Sequence, residues 1–289
     1  MIRRSIEIIT SSFKMALQEL LKNKLRTFLS LFGITIGIFC IISVLATVGS
    51  LERNIQNEIK SLGNNTIYLD KWDYSAGGGP DFPWWRYVNR PAPKYDEIKF
   101  IRERTAGAKY IAFRIKVTDD VGYANSLLSN VNIYGVNEDF EQIQQIELMQ
   151  GRYISNAEFE RGIPVVVVGF SVAEKLFGTA ELAIDKTIEI RGQKLAITGI
   201  ITKQGKQMIG GWDFDQSVLI SYRFARTIMN EYKADPVIMI QGEEGITSKA
   251  LKENLTGVVR AIHKLTPTKE NDFTLNDIND FSDSISSAF

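Results

Sequence analysis

Cysteine and histidine are almost missing from this sequence: its 289 residues hold one of each, Cys40 and His263. A lone cysteine forms no disulfide within the chain, so a stapled, loop-rich scaffold is excluded. The part beyond the apolar run holds no cysteine, which suits either redox compartment. A histidine-based zinc site or a Ser-His-Asp arrangement would rest entirely on His263. That residue falls between Ile262 and Lys264 at the end of an amphipathic stretch, where a structural or surface role is the expected one. An excess of either charge is also missing, since 34 Lys and Arg face 34 Asp and Glu. No global field therefore draws the chain to nucleic acid or to an acidic substrate. There is no GxxxxGK[ST] loop to cradle ATP, no GxGxxG opening a helix after a strand, and no GxSxG turn. No repeat of fixed period occurs. The carboxylate pairs Asp119–Asp120 and Glu243–Glu244 read as solvated turns, because a metal site needs further ligands that their spacing does not supply. The sequence implies no enzyme, no metal and no cofactor.

Charge is absent in a more telling place. From Thr27 to Leu51 no side chain is ionisable as an acid or base of the Asp, Glu, Lys or Arg type: TFLSLFGITIGIFCIISVLATVGSL. About 20 mostly apolar residues suffice for a helix to cross a hydrocarbon core about 30 Å thick, and a helix satisfies every backbone polar group within itself, as lipid requires. A cleaved signal peptide has an apolar region of about 7–15 residues near the N-terminus; this run is longer and follows a polar stretch. A lipid-anchored start at Cys40 is disfavoured by the bulky Phe39 before it. Arg3, Arg4, Lys14, Lys22, Lys24 and Arg26 precede the run, against Arg53 and Lys60 shortly after it. That asymmetry puts the N-terminus in the cytoplasm and the main body outside. Phe13, Ala16, Leu17, Leu20, Leu21 and Leu25 recur at helical spacing, so 1–26 is read as a cytoplasmic amphipathic helix that lies in the interface or leads into the membrane. Gly33 and Gly37 form a GxxxG pair, which lets a partner helix approach closely.

Beyond the membrane the helix is expected to continue through Ile55 and Ile59 to a glycine stop at Gly63. Strands are expected at Thr66–Leu69, Tyr110–Val117, Val131–Gly135, Val165–Val168, Ser217–Ile220 and Val237–Ile240, with a hairpin of Thr187–Arg191 and Lys194–Ile201 about Gly192. Helices are expected at Lys94–Arg104, Glu138–Gln145, Ser171–Phe177, Tyr222–Met229 and along the apolar stripe from Ile246 to Ile262. Short, irregularly ordered strands and helices give an α+β class. Between them Lys71–Arg90, KWDYSAGGGPDFPWWRYVNR, carries too much Gly and Pro for regular structure. Its Trp72, Trp84 and Trp85, with Tyr74, Phe82, Arg86 and Tyr87, form either a partner-contact or membrane-interface surface or a flap over the domain's own core.

Read in order, these residues resemble the MacB-like permease subunits of ABC transporters, and more distantly FtsX. The resemblance runs through LLKNKLRTFLSLFGITIG (20–37), LGNNTIYL (62–69), VNIYGVNEDF (131–140), GRYISNAEFERGIPVVVVGFSVAEKLFG (151–178), IEIRGQKLAITGIITKQG (188–205) and NDFTLND (271–277). Asp185 departs from it, standing where such proteins often carry glycine. The resemblance implies a periplasmic core domain in two parts: a membrane-proximal one of 52–114 plus 235–289, and an inserted one of 115–234. It implies a permease that pairs with a second copy, takes its energy from a cytoplasmic ABC ATPase and meets a periplasmic adaptor or outer-membrane partner, moving its outer domain by mechanotransmission during efflux. Such permeases have four spans, and Phe289 falls about where the second would begin, so the resemblance implies the front part of a longer permease. An FtsX-like transmitter acting on a cell-wall hydrolase, and a single-span sensor or partner-binding protein, are the alternative readings.

Overall fold

The computed structural model describes residues 10–15, 18, 22–61, 65–74, 82–205 and 212–277. The chain divides into two units, Met1–Gln56 and Asn57–Phe289.

The first unit is dominated by α1 (Lys24–Ser61), of which Lys24–Leu51 has a mean hydropathy of 2.5 over its most apolar window, with none of that window buried. At 1.5 Å per residue this stretch is about 42 Å long, more than the hydrocarbon thickness requires. Two of its hydroxyls are satisfied within the helix: Thr35 Oγ1 donates to the Leu31 carbonyl and Thr47 Oγ1 to that of Ser43, both at 2.8 Å. Of the amphipathic helix expected over 1–26, residues 10–15 are helical, whereas Ala16, Leu17, Leu20 and Leu21 lie outside the described residues. So does the glycine stop at Gly63.

The second unit is built on one mixed sheet. Its strands are β1 (Thr66–Asp70), β2 (Ala108–Tyr123), β3 (Ser126–Val136), β4 (Leu148–Gly151), β5 (Val165–Val168), β6 (Thr187–Ile190), β7 (Gln193–Ile201), β8 (Ser217–Ser221), β9 (Val237–Gly242) and β10 (Thr274–Asp277). They run in the order β10-β1-β9-β2-β3-β8-β5-β7-β4, with β6 pairing both β2 and β7. Two regions result. In the first, β10, β1, β9 and the start of β2 lie side by side, and Ile67, Leu69, Ile111, Phe113, Ile238 and Ile240 point to one face. Helices α2 (Glu97–Arg104) and α7 (Ser248–Ile262) cover that face with Ile98, Ile101, Leu251, Leu255 and Val259. The alternation of apolar residues along each strand is what commits one side to this layer.

In the second region β2-β3-β8-β5-β7-β6 closes on itself, because β6 returns to pair Val121 and Gly122 of β2. Closure leaves no free edge within the ring. A register shift between Asp119 and Val121 bends β2 into the ring. The expectation that Asp119 and Asp120 occupy a solvated turn is therefore corrected: they lie within β2. Asp119 Oδ2 pairs with Arg191 Nε at 2.5 Å, and that guanidinium holds its carboxyl below the usual range. The Arg191–Gly192 turn of the β6–β7 hairpin, with φ of +50° and +76°, is of the sort that matches strand twist. α5 (Phe170–Phe177) packs Val172, Ala173 and Leu176 on the ring, while α3 (Phe140–Gln144) and α6 (Tyr222–Ile228) bury Phe140, Ile143, Phe224 and Ala225.

Most expected elements are present within a few residues of their bounds. β2 and β3 run beyond expectation because polar residues such as Thr118 and Ser129 occupy their outward positions. Neither β4 nor α4 (Asn156–Arg161) was legible from apolar periodicity. The tail after Asn271 turns out to hold β10. At the GR turn Gly151 has φ +84°, and a Cβ there would stand 2.3 Å from the Thr198 carbonyl oxygen, so only glycine fits. Arg152 then grips Glu158 with two bonds of 2.7 Å, while the Ser155 amide donates to the same carboxylate at 2.8 Å and caps α4. The Arg152 contact is the chief reason that the Glu158 carboxyl is lowered to about 2. A lowered carboxyl stabilises above its unfolded value of about 4.3 and loses that contribution as pH falls through the folded value. Arg152→Ala is expected to lower the melting temperature by about 2–4 °C at pH 7, for a loss of about 1 kcal/mol. In melts followed by circular dichroism the difference from the parent chain should vanish as pH approaches about 2.

Candidate functional site

The face of β1, β2 and β9 opposite α2 and α7 is also buried, but it is polar at its centre. Tyr68, Arg114, Tyr134 and Met239 alternate with the Ile-rich set and meet Phe140, Gln144, Trp212 and Phe214. Trp212 and Phe214 stack at 5.4 Å between ring centroids. The Arg114 guanidinium lies 5.3 Å from the Trp212 ring centroid, and its Nη1 stands 3.2 Å from Asp235 Oδ2. Burial pushes the hydroxyls of Tyr68 and Tyr134 up to about 12, and the neutral Tyr68 hydroxyl accepts from Gln144 Nε2 at 3.4 Å.

At the end of β1 remote from Thr66, where the chain enters the domain, Asp70 is only 2% exposed. Its carboxylate accepts from the Lys71 amide at 2.6 Å and from Tyr74 Oη at 2.7 Å, yet burial outweighs those bonds and raises its pKa. Desolvation first, then Asp70 itself, raises the Tyr74 hydroxyl well above its ordinary value. Asp70 and Asp235 line a cleft of about 380 Å³ with Lys71, Trp72, Ala92, Tyr232, Lys233 and Pro236.

The aromatic loop begins here and divides into two sets. Trp72, Phe82 and Tyr87 pack together, Phe82 and Tyr87 stacking at 5.3 Å and Trp72 lying 6.2 and 6.3 Å from them. Tyr87 is buried, and Arg90 lies 4.5 Å from its ring centroid. This set folds back on the domain, the covering role that the composition allowed. The second set faces outward. A 3-10 turn, Trp84–Arg86, presents Trp84 and Trp85 at 57% and 59% exposure, edge to face at 6.0 Å, with Arg86 also exposed. The turn corrects the expectation of no regular structure across Lys71–Arg90; Gly77, Gly78, Gly79 and Pro80 lie outside the described residues. Sequence reasoning therefore grouped Trp72 with Trp84 and Trp85, whereas the structure separates them. It missed Asp70 and Arg114, for which the only signal was a charged residue at an inward strand position, and Asp235, an exposed residue just before β9 that gave no signal. Gly33 and Gly37 lie one turn apart on α1, with nothing within 4 Å of the Cβ that either lacks. Among the described residues no group of three or more His, Cys, Asp and Glu is arranged to hold a metal ion.

A mixed α/β domain carried on a helix long and apolar enough to cross a membrane is the class that these features define. The match to known families makes it particular: residues 27–258 fit the MacB-like periplasmic core domain, and the chain belongs to that family. Among curated proteins it is 26% identical over 263 residues to the macrolide export ATP-binding/permease protein MacB of Neisseria meningitidis, covering 87% of this chain and 37% of that protein. It is 23% identical over 235 residues to the uncharacterized ABC transporter permease YvrN of Bacillus subtilis, covering 80% of this chain and 56% of YvrN. The chain thus spans less than two thirds of either relative. Among solved structures, the periplasmic region of MacB from Actinobacillus actinomycetemcomitans superposes with a TM-score of 0.63 at 16% identity, over 80% of this chain and 97% of that one. The extracellular domain of the ABC-type transporter YknZ from Gram-positive bacteria gives 0.55 at 16% identity, over 74% of this chain and all of that one. At such identities the likeness is one of fold.

The split within the loop has a measurable consequence. Truncating buried Tyr87 to Ala should cost about 3 kcal/mol and lower the melting temperature by about 6–12 °C. The double change Trp84→Ala, Trp85→Ala should stay within about 4 °C of the parent, since exposed positions contribute within about 0.5 kcal/mol each, about 1 kcal/mol together. A large drop for the double variant would mean that these rings cover the core after all.

Proposed function

We propose that this chain is the membrane-anchored front part of an ABC transporter permease of the MacB type. In this reading a partner ATPase in the cytoplasm hydrolyses ATP, and the permease carries the resulting movement to its outer domain, driving export by mechanotransmission. The family match over 27–258 is the observation that carries the reading; the apolar helix and the charge asymmetry around it support an inner-membrane location with the outer domain on the periplasmic or extracellular side.

The parts have separate tasks. Gly33 and Gly37 receive a neighbouring membrane helix, from the remainder of the permease or from a second copy in a dimer. The membrane-proximal part, 52–114 plus 235–289, transmits movement to the inserted part, 115–234; the register of β1 against β10, which sets Ile67 opposite Asp277, supports a domain whose two ends return together. Trp84, Trp85 and Arg86 contact a periplasmic adaptor or outer-membrane partner. Exposed Trp and Arg are the residue types that anchor protein contacts.

An affinity-tagged chain purified in mild detergent from the membranes of its own organism is expected to bring down an ATPase carrying a GxxxxGK[ST] loop. Recovery of a cell-wall hydrolase in its place, or of no ATPase, would overturn the transport reading. Within the full permease, Trp84→Ala with Trp85→Ala should reduce export at least tenfold while leaving ATPase association intact.

A further inference from the structure

The sole histidine is built into a clamp at the point where the domain passes the chain to its edge strand. His263 caps the C-terminus of α7 with a side chain that is 11% exposed. Its Nδ1 lies 2.6 Å from Asp272 Oδ1, two residues before β10, and its Nε2 lies 3.6 Å from Glu97 Oε1 at the start of α2. Phe273 stands edge-on to the ring at 5.6 Å. Glu97 is buried, and its other oxygen, Oε2, has no hydrogen-bond partner. A neutral imidazole carries a single N–H and can donate to one carboxylate only; a carboxylate at each nitrogen calls for both protons. Because the two nitrogens point in opposite directions, the three groups do not converge on a metal.

We propose that His263 is a pH-operated clamp: as imidazolium it ties α2, α7 and the approach to β10 together, and its deprotonation releases β10 from the sheet edge.

The surrounding charges leave this role to His263. From α2 the facing group is Glu97, and from the α7–β10 connection it is Asp272. On α7 itself Arg260, one turn earlier, is committed to the carbonyls of Thr266 and Lys269 at 2.6 and 3.0 Å and to Asn271 Oδ1 at 2.5 Å. Lys264 follows directly, in the left-handed conformation at φ +53°. Asp70 of β1 is held by Tyr74 and the Lys71 amide, and Asp277 stands at the other end of β10 from Asp272. Among the described residues β10 pairs with β1 and with no other strand. It also ties down the aromatic loop: Arg90 Nη1 donates to Thr274 Oγ1, the Tyr74 amide to Asn276 Oδ1, and Asn276 Nδ2 to the Trp72 carbonyl, each at 2.9 Å. Releasing β10 therefore loosens the loop that presents Trp84 and Trp85.

The direction of the effect follows from the same contacts. The contact with Glu97 first, and the bond with Asp272, raise the His263 pKa above 6.5 against the opposing effect of burial. A group whose folded value is raised stabilises fully below its unfolded value of about 6.5 and loses that contribution as pH rises through the folded value. The clamp is closed below the folded value of His263 and opens as pH rises through it.

Because the chain holds one histidine, the imidazole Cε1–H signal of the full chain in detergent micelles reports on this residue alone. Its titration midpoint is expected above 6.5. Amide exchange of 272–277, corrected for the intrinsic pH dependence, should speed up as pH crosses that midpoint, by about tenfold for each pH unit of elevation. Exchange in Val165–Val168 should not change. His263→Gln and Asp272→Asn should each abolish the pH dependence at β10. A midpoint at or below 6.5 overturns the proposal, as does flat exchange at β10 in the parent chain or an unchanged pH response in His263→Gln. Should the variants not fold, the parent titration and exchange profile decide between these outcomes.

Discussion

The outer domain depends on hydrogen bonding along both edges of a single strand. β2 is 16 residues long. Its first half pairs with β9 and so carries the open, helix-covered region; its second half pairs with β3 and β6 and so belongs to the closed ring. A buried strand must satisfy the polar groups of its backbone on both sides. No part of β2 can shift without breaking pairs in one region or the other. The ladder yields near the start of β2, between Ala108 and Tyr110 against β9, and again between Asp119 and Val121 against β3, where the Arg191 side chain supplies an external brace. The two regions are mechanically continuous for this reason, and their buried residues join in one core, where Tyr222 of α6 packs against Tyr95 and Phe113.

Much of this architecture was legible in the sequence, and the reasons are local. Val165–Val168 could only be a strand buried on both faces, and the stripe from Leu251 to Val259 could only be one side of a helix. What escaped notice depends on contacts between residues distant in sequence. Periodicity places Asp119 and Asp120 in a turn because nothing nearby reveals that Arg191 will meet one of them. α4 carries its signal in a Ser-x-x-Glu pattern at Ser155 and Glu158, which an apolar count passes over. The aromatic loop was legible as unusual but not as divided: exposure separates Trp84 from Trp72, and exposure is a property of the folded domain. The same holds for Arg114, whose inward place on β2 follows from the register and whose tolerance there follows from Asp235 and Trp212.

The motifs that carry the family resemblance become steric and electrostatic requirements in the structure. Gly151 is demanded by the Thr198 carbonyl, and Gly169 by the carbonyl oxygens of Phe214 and Asp215, 2.0 and 2.5 Å from where a Cβ would stand. Arg152 is there to hold Glu158. Asp185, the departure from the pattern, adopts φ +61°, the left-handed region that glycine enters without cost and that Asp tolerates better than most residues. The position keeps its backbone geometry while changing its side chain. None of these residues performs chemistry; they set the shape of a scaffold on which the exposed turn, the cleft and the His263 cluster sit at separate places.

The pairing of β1 with β10 has a topological meaning as well. With Ile67 opposite Asp277, the chain leaves the domain one strand spacing, about 4.8 Å, from where it came in. The stretch from 66 to 277 is thus a closed excursion: its two ends lie close enough to be joined by a few residues, so the domain could be excised or transplanted with little re-routing of the chain on either side of it.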